Sequence, residues 1–345
     1  DSKGVALMKT EILFLKQEDV IAAGILDMKN VLKMVEKAFY LEGKGEIINP
    51  PKTVFGVPDE NEPKSHFFSM PVYIGGDVKR AGIKWAAESK ANAKSGNLPM
   101  GIDLVVLSDP DTVLPVAIMD GMVITAMRTS ACAGVAAKYM APKNAEIAGC
   151  VGAGVIGRTM IMALKEVMPN LKKIKMCDLN IEKAKNLAAE FKDVIEVIPT
   201  DSVEEAVKDA DIVATMTTSK KPFVKSEWVK PGAMVIQMSS YEVEQGVVEK
   251  ASKIVVDSWD QMKENPDSVL AQMVENDELS KDEIGLLSEV VCKVKPGRES
   301  DDEITLFSSR GMGCLDIMIG DYLYKEAKEK GLGQKLVLWD EAKWV

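Results

Sequence analysis

The chain has 345 residues, of which 46% are hydrophobic, so it is long enough for about two domains with sizeable cores. Its formal net charge of −10 argues against binding to nucleic acids or anionic membranes. No apolar stretch reaches the roughly 18 residues that a membrane-spanning helix needs, and we find no signal-peptide pattern. The chain begins without methionine, and we interpret residues 1–7 as an expression remnant and Met8 as the natural start.

Cysteine and histidine usage limits the chemistry further. The five cysteines are scattered without a C-x-x-C pair, so we expect small buried side chains and a reducing, cytoplasmic location. His66 is the only histidine, and one imidazole cannot build a multi-histidine metal site. We therefore predict no metal site and disfavour hydrolase and metalloenzyme functions.

The first third of the chain predicts a helix and then a strand-rich block. From Asp27, apolar residues recur on one helical face up to a glycine, which is typical of an amphipathic helix. "RAGIKWAAES" is typical of a strand, and "GIDLVVLSDPDTVLPVAIMDG" predicts a hairpin because a polar turn joins two apolar runs. The Ala- and Gly-rich "VITAMRTSACAGVAAKYM" predicts a closely packed helix.

From Glu146 onward, short apolar strands alternate with helices, which predicts βαβ crossovers and a parallel sheet. The tail from Thr305 predicts a helix that packs on the first domain, with Arg310 at its buried start. We predict an α/β protein in which a Rossmann dinucleotide-binding domain is inserted in a split α+β domain. The predicted bounds are 125–315 for the Rossmann domain and 8–124 plus 316–345 for the other.

A glycine loop carries the strongest local signal. "VGAGVIG" places Gly152, Gly154 and Gly157 in G-x-G-x-x-G spacing between a strand and a helix, where a pyrophosphate binds at the helix N-terminus. Asp178 ends the next strand, about 20 residues later, and a carboxylate there favours NAD over NADP. The alternatives are a tight turn without ligand and, for Asp178, a helix N-cap. Thr217 and Thr218 are predicted to line the cofactor cleft.

The segment from "SGNLPMGIDLVVL" to "RTSACAGVAAKYMAPKN", followed by "GCVGAGVIG", resembles the ornithine cyclodeaminase/μ-crystallin family. "AGIKWAAES" and "EITLFSSRGMGCLDIMIGDYLYKEAKEKGLG" are also similar to its pattern, so the resemblance covers nearly the whole chain. It implies an NAD(P)-dependent, typically homodimeric enzyme that moves hydride between nicotinamide and an amine-bearing carbon. It also implies that the split α+β domain is the substrate-binding and dimerisation domain. Members include cyclodeaminases, alanine dehydrogenases, imine reductases and synthases that join amino acids through imines.

The resemblance implies roles for individual residues. Arg128 matches the arginine that binds the substrate carboxylate, a role that its fork of N–H donors suits. Lys84 matches the catalytic lysine, which we expect to shuttle a proton with a pKa lowered by burial beside a second cation. Without the resemblance, Arg128 could form a surface ion pair and Lys84 could be a snorkelling lysine. The implied pocket wall is Met70, and the further implied cofactor contacts are Thr129, Val155, Ile156 and Ser309.

Three positions depart from the family pattern. Lys52 stands where a second carboxylate-binding arginine is usual, so the carboxylate should be bound less tightly there. The loop after "MVIQM" is several residues short and leaves the catalytic aspartate of the family without a counterpart. Glu242 and Glu244 are the nearby acids; Glu242 matches a different acidic position, and a helix-start acid is the simpler interpretation of both.

The third departure is Arg310, which replaces a small apolar residue near the expected substrate. We predict that it binds a carboxylate of the substrate, of Glu242 or of Glu244; the alternative is a salt bridge to Asp316 or Asp321. The leading hypothesis is an NAD-dependent oxidoreductase, and possibilities include an amino-acid dehydrogenase, imine reductase or opine-type synthase. It would act on a small amino or keto acid as a homodimer. The alternatives are an ornithine or lysine cyclodeaminase and a non-enzymatic NAD(P)H-binding crystallin.

Overall fold

The computed structural model describes residues 9–59, 64–239 and 241–343, so the proposed start at Met8 lies outside the described residues. The strands are β1 Thr10–Leu15, β2 Ile47–Ile48, β3 Thr53–Val57, β4 Ser65–Ile74, β5 Arg80–Ser89, β6 Gly101–Ser108, β7 Pro115–Asp120, β8 Ile147–Val151, β9 Lys173–Cys177, β10 Glu196–Thr200, β11 Ile212–Thr215, β12 Met234–Gln237, β13 Lys253–Val256, β14 Ile284–Leu286, β15 Thr305–Ser308 and β16 Gln334–Trp339. The α-helices are α1 Gln17–Ala23, α2 Met28–Gly43, α3 Lys90–Ser95, α4 Met122–Met140, α5 Val155–Val167, α6 Ile181–Phe191, α7 Val203–Val207, α8 Gln245–Lys250, α9 Trp259–Lys263, α10 Val269–Glu275, α11 Leu287–Val291 and α12 Gly313–Lys330.

The chain forms two compact units. Unit 1 comprises Asp1–Asp27, Glu46–Thr125 and Gly313–Val345, and unit 2 comprises Met28–Gly45 and Ala126–Met312. Helix α2 therefore belongs to unit 2, whereas the sequence division placed it in the substrate-binding domain. The domain bounds inferred from the sequence stay a prediction.

Unit 1 is built on a mixed sheet whose strands run in the order β16-β1-β7-β6-β5-β4-β2, with β3 paired to β4. Among the described strands, β1 and β7 form the parallel pair and the other neighbours are antiparallel. The predicted hairpin is present as β6 and β7, and Asp109 accepts hydrogen bonds from the main chain of its turn. Helix α12 packs on β4, β5 and β6 and covers one face of the sheet.

Unit 2 has a parallel sheet in the order β10-β9-β8-β11-β12-β15-β13-β14, and all its described strand pairs are parallel. The chain goes from β8 outward to β9 and β10 and then returns to β11 on the other side. This reversal beside β8 is the topological switch point at which doubly wound sheets bind ligands. The predicted fold class, a Rossmann domain with a second α/β domain, is confirmed.

The C-terminal segment corrects one prediction. Residues from Thr305 do not start a helix, because Thr305–Ser308 is strand β15, buried between β12 and β13. Arg310 therefore lies in the loop before α12 and not at the start of that helix. Helix α12 does pack on unit 1, as predicted, and β16 then pairs with β1 at the sheet edge.

Other sequence expectations can be compared with the fold. Four cysteines are buried and Cys292 is half-buried, as predicted for side chains that act as small apolar groups. Residues Val31, Leu32, Val35, Ala38 and Phe39 form the buried face of α2. Within residues 9–59, 64–239 and 241–343, no helix combines the length and apolar character needed to cross a bilayer.

Candidate active site

Lys84 lies at the centre of a buried polar cluster in unit 1. Its Nζ donates hydrogen bonds to Thr125 Oγ1 at 2.6 Å and Asp316 Oδ1 at 3.1 Å, and it lies 3.3 Å from Asp103 Oδ2. The side chain is 3% exposed, so this lysine is not a snorkelling one. The unit supplies carboxylates around the ammonium where we had expected a second cation, and the paired charges compensate the cost of burying it.

Two further predicted substrate residues lie in unit 1. Met70 is buried on β4 directly opposite Lys84 on β5, so the two side chains lie on the same face of the sheet. Lys52 is half-buried in the segment between β2 and β3. The position of Met70 fits the predicted pocket wall, and the carboxylate-binding role of Lys52 stays a prediction.

The glycine loop of unit 2 has the backbone that a dinucleotide needs. Gly152 has φ +110°, a left-handed conformation, and a Cβ there would contact the Met216 carbonyl oxygen. A Cβ on Gly157 would clash with the Gly152 carbonyl, whereas the position of Gly154 faces open space. Helix α5 begins directly after Gly154, so its first N–H groups are available to an anion there.

Asp178 follows β9 at the same edge of the sheet. Its Oδ2 accepts a hydrogen bond from Ala153 N in the glycine loop at 2.8 Å, and its Oδ1 accepts one from Asn180 N at 2.9 Å. Asn180, and not Asp178, is the N-cap of α6. The carboxylate has lone pairs left for ribose hydroxyls, so the loop, the helix N-terminus and Asp178 together fit an NAD molecule.

The remaining predicted cofactor residues surround this edge. Val155 is 65% exposed at the first position of α5 and Ile156 is half-buried beside it. Thr129 is half-buried on α4, and Thr218 is exposed after β11. Their contacts with a cofactor stay predictions.

Glu242 has a structural role in unit 2. Its carboxylate is fully buried and accepts hydrogen bonds from Thr215 Oγ1, from Thr217 N and Oγ1, and from Ser239 N. Burial raises the pKa of Glu242 above its ordinary value. The interpretation of Glu242 as a helix-start acid is therefore wrong, because it joins the segments that follow β11 and β12. Glu244 directly precedes α8, as that interpretation expects.

Asp257, which the sequence analysis missed, organises the loop that carries Arg310. This buried carboxylate accepts hydrogen bonds from Ser309 Oγ at 2.7 Å, from Gly311 N at 2.7 Å and from Arg310 N at 2.9 Å. The Ser309 hydroxyl thus has a protein partner, and its predicted cofactor contact remains a prediction. Asp257 fixes the main chain at residues 309–311.

The same loop supports Arg128 on α4. Arg128 is buried, and a Cβ on Gly311 would approach its Nη1 to 2.9 Å, so the guanidinium lies against the glycine main chain. This burial argues against a surface ion pair. The two acids proposed as alternative partners of Arg310 have cationic partners in unit 1: Asp316 binds Lys84, and Asp321 binds Arg80 and Lys325.

A second acid missed by the sequence analysis is Glu42, near the end of α2. Its pKa is raised from 4.5 to about 8, first by burial and then by the negative charge of Asp257, while a hydrogen bond to Ser288 opposes the shift. The sequence contains a signal for it. Glu42 falls three residues after Phe39 on the apolar face of α2, where a half-buried acid with a buried carboxylate oxygen is unexpected.

The glycine loop and the sheet of unit 2 point to a dinucleotide cofactor. Among the described residues, no group of three His, Cys, Asp or Glu side chains could hold a metal ion. A parallel sheet with a glycine loop at its switch point defines a Rossmann dinucleotide-binding protein. The lysine cluster of unit 1 adds a buried cation suited to proton transfer.

Comparison with known proteins gives the family. Residues 11–331 match the family model "Ornithine cyclodeaminase/mu-crystallin family". An alanine dehydrogenase of Archaeoglobus fulgidus is 33% identical over 337 residues, which cover 94% of this chain and 98% of the relative. This chain therefore belongs to the ornithine cyclodeaminase/mu-crystallin family, and the predicted resemblance is confirmed.

Further relatives and solved structures are similar to this chain over nearly its whole length. N-((2S)-2-amino-2-carboxyethyl)-L-glutamate dehydrogenase of Staphylococcus aureus is 28% identical, covering 96% of this chain and 100% of the relative. Among solved structures, Thermococcus litoralis Δ(1)-pyrroline-2-carboxylate reductase in complex with NADH and L-proline has a TM-score of 0.87 and 34% identity. The match covers 94% of this chain and 99% of that structure. An archaeal alanine dehydrogenase dimer with bound NAD has a TM-score of 0.85 and 30% identity, covering 96% and 100% of the two chains.

The raised pKa of Glu42 predicts a pH-dependent stability. Because the folded state holds this proton more tightly, the stabilisation is full below about pH 4.5 and is lost as the pH rises through about 8. Glu42→Gln replaces the titrating group by a neutral amide. We expect the difference in the free energy of unfolding, variant minus unmutated protein, to become about 2 kcal/mol more positive as the pH rises from 6 to 8.

Chemical denaturation at several pH values measures this difference. Glu249→Gln, on the exposed side of α8, is the matched control and should follow the unmutated protein at every pH. Parallel pH profiles for Glu42→Gln and the unmutated protein would show that Glu42 is already ionised at neutral pH.

Proposed function

We propose that this chain is an NAD-dependent oxidoreductase that moves a hydride between nicotinamide and the α carbon of an amino acid or its imine. The observation that carries the proposal is the pairing of two features in one chain. A glycine loop with Asp178 at its edge fits NAD, and Lys84 is a buried ammonium held by oxygen acceptors. The relatives named above are dehydrogenases and a reductase, which supports this class.

We assign the binding roles from the geometry of each unit. Gly152, Gly154 and Gly157 would hold the pyrophosphate at the start of α5, and Asp178 would accept hydrogen bonds from the adenine ribose. The bound nicotinamide supplies the hydride chemistry. Thr217 has its N–H and hydroxyl committed to Glu242, so it would shape the cofactor cleft through its main chain.

The substrate roles follow from charge. Arg128 would bind the α-carboxylate with two parallel N–H donors, assisted by the charge of Lys52. Lys84 would hold or donate a proton at the substrate nitrogen or at attacking water, because an ammonium held in place by oxygen acceptors can act as a general acid. Met70 would provide an apolar wall beside this ammonium.

Removal of the Lys84 ammonium should abolish turnover while sparing the cofactor site. For Lys84→Met we expect kcat to fall about a thousandfold, because the proton donor is lost, with the Kd for NADH changed less than about threefold. The assay follows NADH during oxidation of a panel of amino acids and during reduction of keto acids with ammonia. NADH fluorescence titration measures Kd.

Lys335→Met, at an exposed position of β16, is the matched control and should keep full activity. Ammonia release from ornithine or lysine without net NADH change would replace this proposal by a cyclodeaminase. Saturable NADH binding without turnover of any substrate would replace it by a binding protein.

We further propose that Arg310 selects substrates with a second carboxylate. Asp257 fixes the main chain at Arg310, and a guanidinium offers the two parallel N–H donors that suit a carboxylate. For Arg310→Ala, we expect kcat/KM for the substrates glutamate and aspartate to fall about ten- to hundredfold more than kcat/KM for the substrate alanine. The Arg310→Lys variant should show an intermediate loss of kcat/KM, because lysine keeps the positive charge but lacks the two parallel N–H donors of the guanidinium. Equal kcat/KM values for glutamate and aspartate in the unmutated protein, Arg310→Ala and Arg310→Lys would contradict the proposed role of Arg310.

A homodimer is proposed from an open apolar face of unit 1. On the side of the sheet away from α12, the open apolar face consists of Phe55, Phe67, Trp85, Ile102 and Leu104. Phe55 and Phe67 stack with their ring centroids 5.3 Å apart, and Phe67 lies 5.7 Å from Trp85. Trp85 and Leu104 are opposite each other on β5 and β6, yet 39% and 42% exposed. Such a surface fits a second copy of the chain, and one solved structure similar to this chain is a dimer.

The cytoplasmic location also stays a proposal, supported by the buried cysteines.

Trp85→Glu tests the proposed interface. We expect sedimentation equilibrium to give twice the 37.6 kDa chain mass for the unmutated protein and the single chain mass for the variant, because a buried glutamate lacks a partner. Ile21→Glu on α1 replaces an apolar residue of similar exposure outside this face and should remain dimeric. A monomeric unmutated protein at micromolar concentration, or a dimeric Trp85→Glu, would exclude this interface.

A further inference from the structure

Asp103 interrupts the apolar face of strand β6. Along this strand, Val105 and Leu107 are fully buried on the side covered by α12, and Asp103 occupies the next position on that side. An unpaired carboxylate there would cost several kcal/mol, so a core strand carries one only where partners compensate it. Those partners are Lys84 and Thr125.

The three side chains form a directed hydrogen-bond chain. Lys84 Nζ donates to Thr125 Oγ1 at 2.6 Å, and the Thr125 hydroxyl donates to Asp103 Oδ2. A hydroxyl has one proton, and the charged carboxylate is a better acceptor than the Gly121 carbonyl 2.8 Å away. Thr125 therefore accepts from the lysine and donates to the aspartate, which is the arrangement along which a proton can pass.

The backbone brings these groups together by a close approach. Gly121 N donates to the Asp103 carbonyl at 2.9 Å, and a Cβ on Gly121 would lie 2.9 Å from the Asp103 Cβ. Helix α4 begins at the next residue, and one turn later Thr125 N donates to the Gly121 carbonyl. The start of α4 thus places the threonine hydroxyl over Asp103.

Exposure distinguishes the two carboxylates beside Lys84. Asp316 Oδ1 and Asp103 Oδ2 lie at similar distances from Nζ, 3.1 and 3.3 Å. The Asp316 side chain is 0% exposed, whereas that of Asp103 is 10% exposed. Asp316 can therefore hold the ammonium in place, but only Asp103 has contact with water and can exchange a proton with it.

We propose that Thr125 and Asp103 form a proton relay between Lys84 and solvent. The relay rests on the proposed function, in which Lys84 donates a proton to the substrate. The neutral amine then takes the Thr125 hydroxyl proton, while Thr125 takes the proton that Asp103 has received from water. The opposite direction reverses each transfer, and no proton is gained or lost. Asp103 and Thr125 are positioning and relay residues that act through Lys84.

Three variants test the relay. Thr125→Val removes the hydroxyl at nearly constant volume, Thr125→Ser restores a hydroxyl, and Asp103→Asn removes the acid. In Thr125→Val and Asp103→Asn we expect kcat to fall about tenfold or more, with an altered pH profile and solvent deuterium isotope effect. Thr125→Ser should recover to within about threefold. The double variant Thr125→Val/Asp103→Asn should be no slower than either single one, since both break the same chain.

A second measurement needs neither cofactor nor turnover. Hydrogen exchange of the Lys84 ammonium with water is followed by NMR on 15N-lysine-labelled protein, with the signal assigned by its loss in Lys84→Met. We expect exchange to slow about tenfold in Thr125→Val and Asp103→Asn and to stay near the original rate in Thr125→Ser. Asp111→Asn, an exposed turn position of the same hairpin, is the matched control and should change neither readout.

The outcomes separate this inference from the proposed function. If the unmutated protein turns over no amino or keto acid, the proposed function fails, and the exchange rates still decide whether the relay exists. If the unmutated protein is active and folded Thr125→Val keeps its isotope effect, pH profile and Lys84 exchange rate, the relay is overturned and the function stands.

Discussion

The structure of unit 1 depends on the accommodation of one buried ammonium. Lys84 on β5 meets acceptors from three other elements, β6, α4 and α12, and each of them must be in register for the charge to be compensated. Two carboxylates face one lysine, so the cluster has a formal excess of one negative charge. In a low-dielectric site this excess favours a cationic group, such as the ammonium or iminium of an amino-acid substrate.

Unit 2 uses a carboxylate for a different purpose. Asp257 has no exposed surface and gathers main-chain N–H groups from the loop that follows β15. The backbone of this loop supports Arg128, so a buried acid directly after β13 influences where a guanidinium on α4 can lie. Burial and then the negative charge of Asp257 raise the pKa of Glu42, because two carboxylates in one buried region cannot both ionise without cost.

Local patterns in the sequence were sufficient for much of the fold. Periodicity predicted α2, an Ala- and Gly-rich composition predicted α4, and a polar turn between two apolar runs predicted the β6–β7 hairpin. The glycine spacing predicted the loop after β8. The sequence analysis did not predict strand β15, because a short, largely apolar segment directly before a helix resembles the start of that helix. Only pairing with β12 and β13, both distant in sequence, makes this segment a strand. The role of Asp257 was missed for the same reason, since its partners in the loop after β15 lie more than 50 residues away in sequence. Asp103 could have been found, because an acid interrupts an otherwise apolar run.

Asp103 also changes the charge argument about the substrate. The short loop after β12 lacks the aspartate that the family pattern predicts, and Arg310 adds a cation; together these favoured an acidic substrate over ornithine or lysine. The structure returns an acid to the neighbourhood of Lys84, so the number of carboxylates alone no longer separates the two substrate classes. The discrimination must then come from position. Asp103 is hydrogen-bonded to Thr125 beside the lysine, whereas Arg310 belongs to a loop fixed by Asp257, so the proposed selection of a second substrate charge depends on Arg310 and not on the number of acids.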